Sequence, residues 1–186
     1  MSESDEAVGV WQRLDGGRVV FQSRFLTLRE DRVRTPDGRE STYGVIDCGH
    51  CVGVLPFVDD DTVWMVRQHR YIADRFTWEM PTGGVNRGEP TEDAAQRELA
   101  EEAGFRAGRL VHVSSYHTSK SCMDETAHLF LGYDLTPAAA KSDPDEQIER
   151  RALPFADVVS MVSSGEITDG MTIVAVLSAL RLRAAR

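Results

Sequence analysis

Gly83–Phe105 reads GGVNRGEPTEDAAQRELAEEAGF. A glycine-rich turn leads into a segment with Ala95, Leu99 and Ala103 at helical spacing. Gly104 stands where a helix ends in a left-handed residue, and Thr91 is read as the N-cap. The helix crowds Glu98, Glu101 and Glu102 into five positions. Residues three and four apart share a face, so Glu98 and Glu102 repel by roughly 0.2–0.5 kcal/mol when exposed. Either a solvated face tolerates this or a cation sits among the carboxylates. Clustered carboxylate oxygens suit Mg²⁺ or Mn²⁺ better than zinc. Glycines ahead of a helix let backbone groups approach a phosphate or metal.

The full spacing is Gly83, five residues, Glu89, seven residues, then Arg97-Glu98-Leu99-Ala100-Glu101-Glu102-Ala103-Gly104-Phe105. It resembles the Nudix box, with every position filled. A chance match to its seven fixed letters is of order 10⁻⁸ per start position, which sets the solvated-face reading aside. The resemblance implies a mixed α/β chain with the Nudix-fold α/β/α sandwich and Mg²⁺ as cofactor, with Mn²⁺ as the alternative. It implies Glu98, Glu101, Glu102 and the main-chain carbonyl of Thr82 as metal ligands. Arg97 would orient the carboxylates and, with Glu102, belong to the catalytic set. Gly83 and Glu89 would support them from behind.

The resemblance extends beyond the box. MVRQHRYIADRFTWEMPTGG (Met65–Gly84) is similar to the corresponding stretch of ADP-ribose pyrophosphatases and related nucleoside-diphosphate-sugar hydrolases. Gln68, Arg70, Glu79 and Pro81 match, and His69 replaces an aromatic residue. That branch implies Gln68, Arg70 and Glu79 at the substrate, Arg70 on phosphate and Glu79 at the nucleoside end. HLFLGYDL and SGEITDGMTIVAVL resemble it too. It implies a general base on KSDPDEQIER (Lys141–Arg150): Glu146, with Asp145 and Glu149 as alternatives. The activity implied is cleavage of the diphosphate of a nucleoside-diphosphate sugar. A Nudix-fold sensor that binds without cutting is the rival reading, disfavoured by the undamaged box. One departure bears on specificity: Ser119-Lys120-Ser121 stands where relatives acting on ADP-ribose often carry Ser-Pro-Gly. Lys120 becomes a candidate substrate contact, and ADP-ribose is not expected to be uniquely preferred.

CGHC (Cys48–Cys51) resembles a disulfide-isomerase motif, but VGVLPF after it reads as a strand. Redox chemistry at such a motif needs the first thiol at a helix N-terminus. The five histidines show no paired ligand spacing for structural zinc.

Outward from the box, strands are expected at Arg18–Gln22, Leu26–Arg34, Ser41–Ile46, Cys51–Phe57, Val63–Gln68, near Trp78, Leu110–Tyr116 and Ala127–Tyr133. Thr35–Gly38 (TPDG) is a tight turn, and His117–Glu125 and Lys141–Arg150 are loops. Helices are expected around Phe155–Val162 and Thr172–Leu182. The domains expected are an acidic tail (1–10), an N-terminal antiparallel β subdomain serving dimerisation (11–47) and the catalytic domain (48–186). The net charge of −9 argues against a nucleic-acid surface. No apolar run is long enough to span a membrane, and the acidic N-terminus does not resemble a signal peptide. The expected setting is cytoplasmic, and the expected assembly a homodimer.

Overall fold

The computed structural model describes residues 9–15, 17–139 and 148–185. The strands are β1 (Gln12–Arg13), β2 (Arg18–Gln22), β3 (Thr27–Arg34), β4 (Glu40–Asp47), β5 (Cys51–Pro56), β6 (Thr62–Arg70), β7 (Arg75–Glu79), β8 (Thr82–Gly84), β9 (Phe105–His117), β10 (Met123–Asp124), β11 (Thr126–Pro137) and β12 (Glu149–Pro154). The helices are α1 (Thr91–Glu98), continued by a π-helical turn over Leu99–Ala103, then α2 (Phe155–Ser164) and α3 (Gly170–Ala184).

The chain forms two compact units. The first holds the described residues up to Gly49 together with His117–Glu125. Its sheet runs β1-β3-β4-β10, with β2 also on β3. β3 and β4 pair antiparallel from Thr27↔Asp47 to Arg34↔Glu40. The turn between them has Gly38 at φ +87°, a left-handed conformation that suits glycine. The segment read as a polar loop after β9 supplies β10, parallel to β4 with Met123 opposite Ile46. β4 offers two donors to this segment: the Ile46 N–H reaches Cys122 O at 2.7 Å, and the Tyr43 side-chain hydroxyl donates to Ser121 O at 2.5 Å.

The second unit holds a sheet ordered β8-β5-β11-β9 and a three-stranded sheet β12-β6-β7. Side chains alternate along a strand, and here successive residues feed two cores. Val52, Val54 and Phe130 pack with Ala94, Ala95, Leu99 and Ala103 of α1 and its π-helical continuation. Leu55, Met65, Leu129 and Leu131 face the opposite way, against Phe155, Val158, Ala175, Val176 and Ala179 of α2 and α3. This is the α/β/α layering expected.

Three local expectations need correction. Thr91 is the first helical residue, and Pro90 caps α1 in an extended conformation with no side-chain bond. Proline, lacking an N–H, sacrifices no donor there, and its carbonyl accepts Ala94 N–H at 3.0 Å. Lys141–Arg150 does not stay loop throughout, because β12 starts at Glu149 and pairs antiparallel with β6. α3 starts at Gly170, capped by Asp169, whose carboxylate accepts Thr172 N–H at 2.7 Å. Among the described residues no helix is long and apolar enough to cross a membrane.

Candidate active site

The site grows from the pairing of β5 with β8, which sets Thr82 opposite Gly53 and Gly83 opposite Val52. A Cβ added at Gly83 would overlap the Glu98 carboxylate, so glycine is what lets the helix lay that side chain against β8. Glu102 leans on the same strand. It is 5% exposed, and its Oε2 accepts the Thr82 N–H at 2.8 Å.

Arg97 gathers the remaining charge. Its Nη1 lies 2.5 Å from Glu98 and 3.2 Å from Glu101. Its Nε and Nη2 take both oxygens of Glu89 at 3.0 and 2.9 Å, and Nη2 also reaches Gly84 O at 2.7 Å. Glu89 is further held by the N–H and side-chain amide of Asn86, each at 2.9 Å. The bonded guanidinium and the Asn86 N–H hold the Glu89 carboxyl at about 2, and the carboxylates push the Arg97 pKa upward. The repulsion among the box carboxylates is thus offset by one shared guanidinium.

The helix beneath them is not α throughout. From Leu99 it widens into a π turn, ending at Gly104 with φ +80°. Such turns recur at functional sites because they re-aim side chains without ending the helix. Two carbonyls at this end are taken by Arg150 of β12: Nε donates to Glu102 O, and Nη2 to Glu101 O at 3.1 Å.

Metal fit rests on the donors. Among the described residues no three His, Cys, Asp or Glu side chains close on a point that would hold an ion as they stand. Glu98 and Glu101 are instead turned to Arg97. The donor set is nonetheless all oxygen, partly sheltered, and built around a glycine that leaves room for a carboxylate, as a hard divalent cation requires.

The other expected residues divide. Arg70 and Glu79, at opposite ends of the β6–β7 pairing, bond to each other, Arg70 Nε lying 3.0 Å from both Glu79 oxygens. Glu79 is buried and also accepts the Thr77 hydroxyl. Its oxygens thus serve Arg70 rather than standing free for a nucleoside. Glu79 raises the Arg70 pKa, and the charges of Glu102 and Asp169 add to this. Gln68 is buried on β6. Lys120 is exposed in the first unit, on the rim of a cavity of about 310 Å³ shared with Arg29, Tyr43 and Cys122. Glu149 is bound by Arg67 at 3.1 Å and Arg151 at 2.7 Å, and the Arg67 bond leads in holding its carboxyl below the usual range. Glu146 and Asp145 lie outside the described residues. Sequence reasoning missed Thr77, Asp169 and Arg150, none of which occupies a position of the box.

The cysteines are free. Burial, helped by Glu125 and Asp47, pushes the Cys48 thiol up, the opposite of an activated thiolate. Cys51 lies on β5, its sulfur 3.8 Å from Met171 Sδ. The double variant Cys48→Ser/Cys51→Ser is expected to keep diphosphate hydrolysis with at most a packing cost. A folded double variant without hydrolysis, or a wild type with disulfide reductase activity, would contradict this.

Comparison with known proteins follows the same lines. The NUDIX domain profile matches residues 49–169, and that of the nucleoside diphosphate sugar hydrolase N-terminal domain matches residues 11–46. An ADP-ribose pyrophosphatase of Bacillus subtilis is 31% identical over 84% of this chain and 86% of its own. An ADP-ribose pyrophosphatase of Mycobacterium tuberculosis is 30% identical over 86% and 79%. A crystal structure of an ADP compounds hydrolase superposes with a TM-score of 0.82 at 20% identity, covering 94% of this chain and 95% of that one, a likeness of fold.

Proposed function

Because the chain belongs to the Nudix family, we propose that it is a metal-dependent pyrophosphatase cleaving ADP-ribose-like nucleoside-diphosphate sugars to a nucleoside monophosphate and a sugar phosphate. The observation that carries this is the joint placement of Glu98, Glu101, Glu102 and Arg97 against the Thr82–Gly83 strand. Nudix hydrolases use divalent metal, here Mg²⁺ with Mn²⁺ as the alternative. Glu98, Glu101, Glu102 and the Thr82 carbonyl would hold it, and bound there it supplies charge for the diphosphate and activation of water. Arg97 keeps the carboxylates oriented, with Glu89 fixing Arg97 and Gly83 leaving room. Arg70, set by Glu79 and flanked by Gln68, binds phosphate. Water attacks one phosphorus, the P–O–P bond breaks, and Glu146 accepts the proton, with Asp145 as its alternative. Glu149, tied to two guanidinium groups, is a poor base.

The test is metal-dependent hydrolysis of a panel containing ADP-ribose, other nucleoside-diphosphate sugars, dinucleoside polyphosphates and CoA, with products identified by mass. Another nucleoside-diphosphate sugar is expected to be cut at least as well as ADP-ribose. Lys120→Ala is expected to raise KM more than it lowers kcat, as loss of a positioning contact does. Strong selectivity for ADP-ribose would refute the first expectation, and an unchanged profile for the variant the second. No metal-dependent turnover on any member would leave only the binding-sensor reading.

A homodimer and a cytoplasmic setting complete the proposal. The first unit leaves Trp11, Val19, Val20, Phe21 and Phe25 exposed, more apolar surface than a small sheet keeps in water without a partner. Light scattering at micromolar concentration should give twice the chain mass, and a monomer would refute the assembly.

A further inference from the structure

We propose that Arg150 is a positioning residue for the metal ligands, fixing the main chain of Glu101 and Glu102 so that their carboxylates meet the cation; this rests on the metal reading above.

The geometry isolates Arg150 for this task. Along β12, Glu149 and Arg151 share one face, and Arg150 alternates to the other. Glu149 pairs with Arg67, and the Arg151 guanidinium lies 5.2 Å from the centre of the Trp78 ring. Arg150, opposite Val66, turns to the helix and donates to the carbonyls of Glu102 and Glu101.

The Gly104 N–H is directed at the Ala100 and Leu99 carbonyls, and Arg150 meets the two carbonyls that follow, those of Glu101 and Glu102. They also sit at a helix C-terminus, where partial negative charge gathers and a cation is favoured. A guanidinium fits because its planar fork offers two donors in fixed geometry, whereas lysine is a single point charge on a flexible stem.

Glu102 is therefore held at both ends. Its carboxylate accepts from Thr82 of β8, and its carbonyl from Arg150 of β12. The π turn makes the second hold necessary, because its hydrogen bonds are less regular than those of an α-helix and fix the backbone less firmly. Without Arg150 the turn can settle into another pattern, and Glu101 and Glu102 then swing relative to Glu98.

The test reads metal binding directly. Mn²⁺ affinity of the full chain is measured by electron paramagnetic resonance for wild type, Arg150→Lys, Arg150→Met and Glu102→Gln, with thermal unfolding in EDTA alongside. The Met variant is expected to bind Mn²⁺ roughly 10-fold more weakly, the low end of the cost of losing a group that supports a metal ligand. Lysine should restore part of that affinity. The Mg²⁺ concentration for half-maximal hydrolysis should rise in proportion, with substrate KM at saturating metal unchanged. Wild-type Mn²⁺ affinity in the folded Met variant overturns the role of Arg150, and where Met does not fold, wild-type affinity in the Lys variant does so. If wild type binds no Mn²⁺, or Glu102→Gln binds it as tightly as wild type, the metal reading fails and the role of Arg150 falls with it.

Discussion

Glu102→Gln is expected to remove nearly all turnover while leaving the protein folded. Glutamine still offers a carbonyl oxygen to the Thr82 N–H, so the 2.8 Å bond that seats this buried side chain can persist. What disappears is one negative charge of the proposed ligand set. The loss in kcat should exceed the roughly 10–100-fold cost of removing a group that only supports a ligand. Stability without metal should hold or rise, since one of three mutually repelling carboxylates is neutralised. Glu101→Gln should lower turnover in the same way. Steady-state kinetics over a Mg²⁺ titration, with thermal unfolding in EDTA, tests both, and near wild-type kcat in both would take these residues out of the ligand set.

Arg97→Met should act through stability as much as through catalysis. The guanidinium is the shared partner of Glu89, Glu98 and Glu101. Its removal leaves three partly buried carboxylates facing one another, which should cost about 3 kcal/mol of unfolding free energy in EDTA. Saturating Mg²⁺ should return part of this, because the ion restores positive charge among Glu98 and Glu101, and its stabilising effect should be larger in the variant than in wild type. Urea unfolding with and without Mg²⁺ measures both quantities. A variant as stable as wild type in EDTA would mean that solvent, not Arg97, screens the carboxylates.

The layered fold was legible because its cores are periodic. Val52 and Val54 alternate with their neighbours on β5, Leu129 and Leu131 on β11, and Ala95, Leu99 and Ala103 stripe the helix. Periodicity reports burial, and it fell silent where burial does not decide. β12 is an edge strand whose residues are mostly exposed, so ERRALP carries no alternating signal and no strand is expected there. β10 is held by backbone pairing, which imposes no residue pattern. The π turn preserves the apolar stripe of the α-helix it replaces, so no side chain announces it. The box spacing led directly to the residues gathered around Arg97. Arg150 stayed hidden because its bonds to Glu101 and Glu102 go to carbonyls, which every residue carries.

The short strand β10 has a consequence for how this chain can be taken apart. It completes the N-terminal sheet, yet in sequence it sits between β9 and β11 of the second unit. A fragment ending at Gly49 lacks it, and a fragment starting at His50 carries it without its partner β4. Neither half is a transplantable cassette. Recombining this chain with a relative at residue 49 would join a sheet to a foreign edge strand, and the segment bearing Lys120 would be inherited from one parent while the strands it pairs with came from the other.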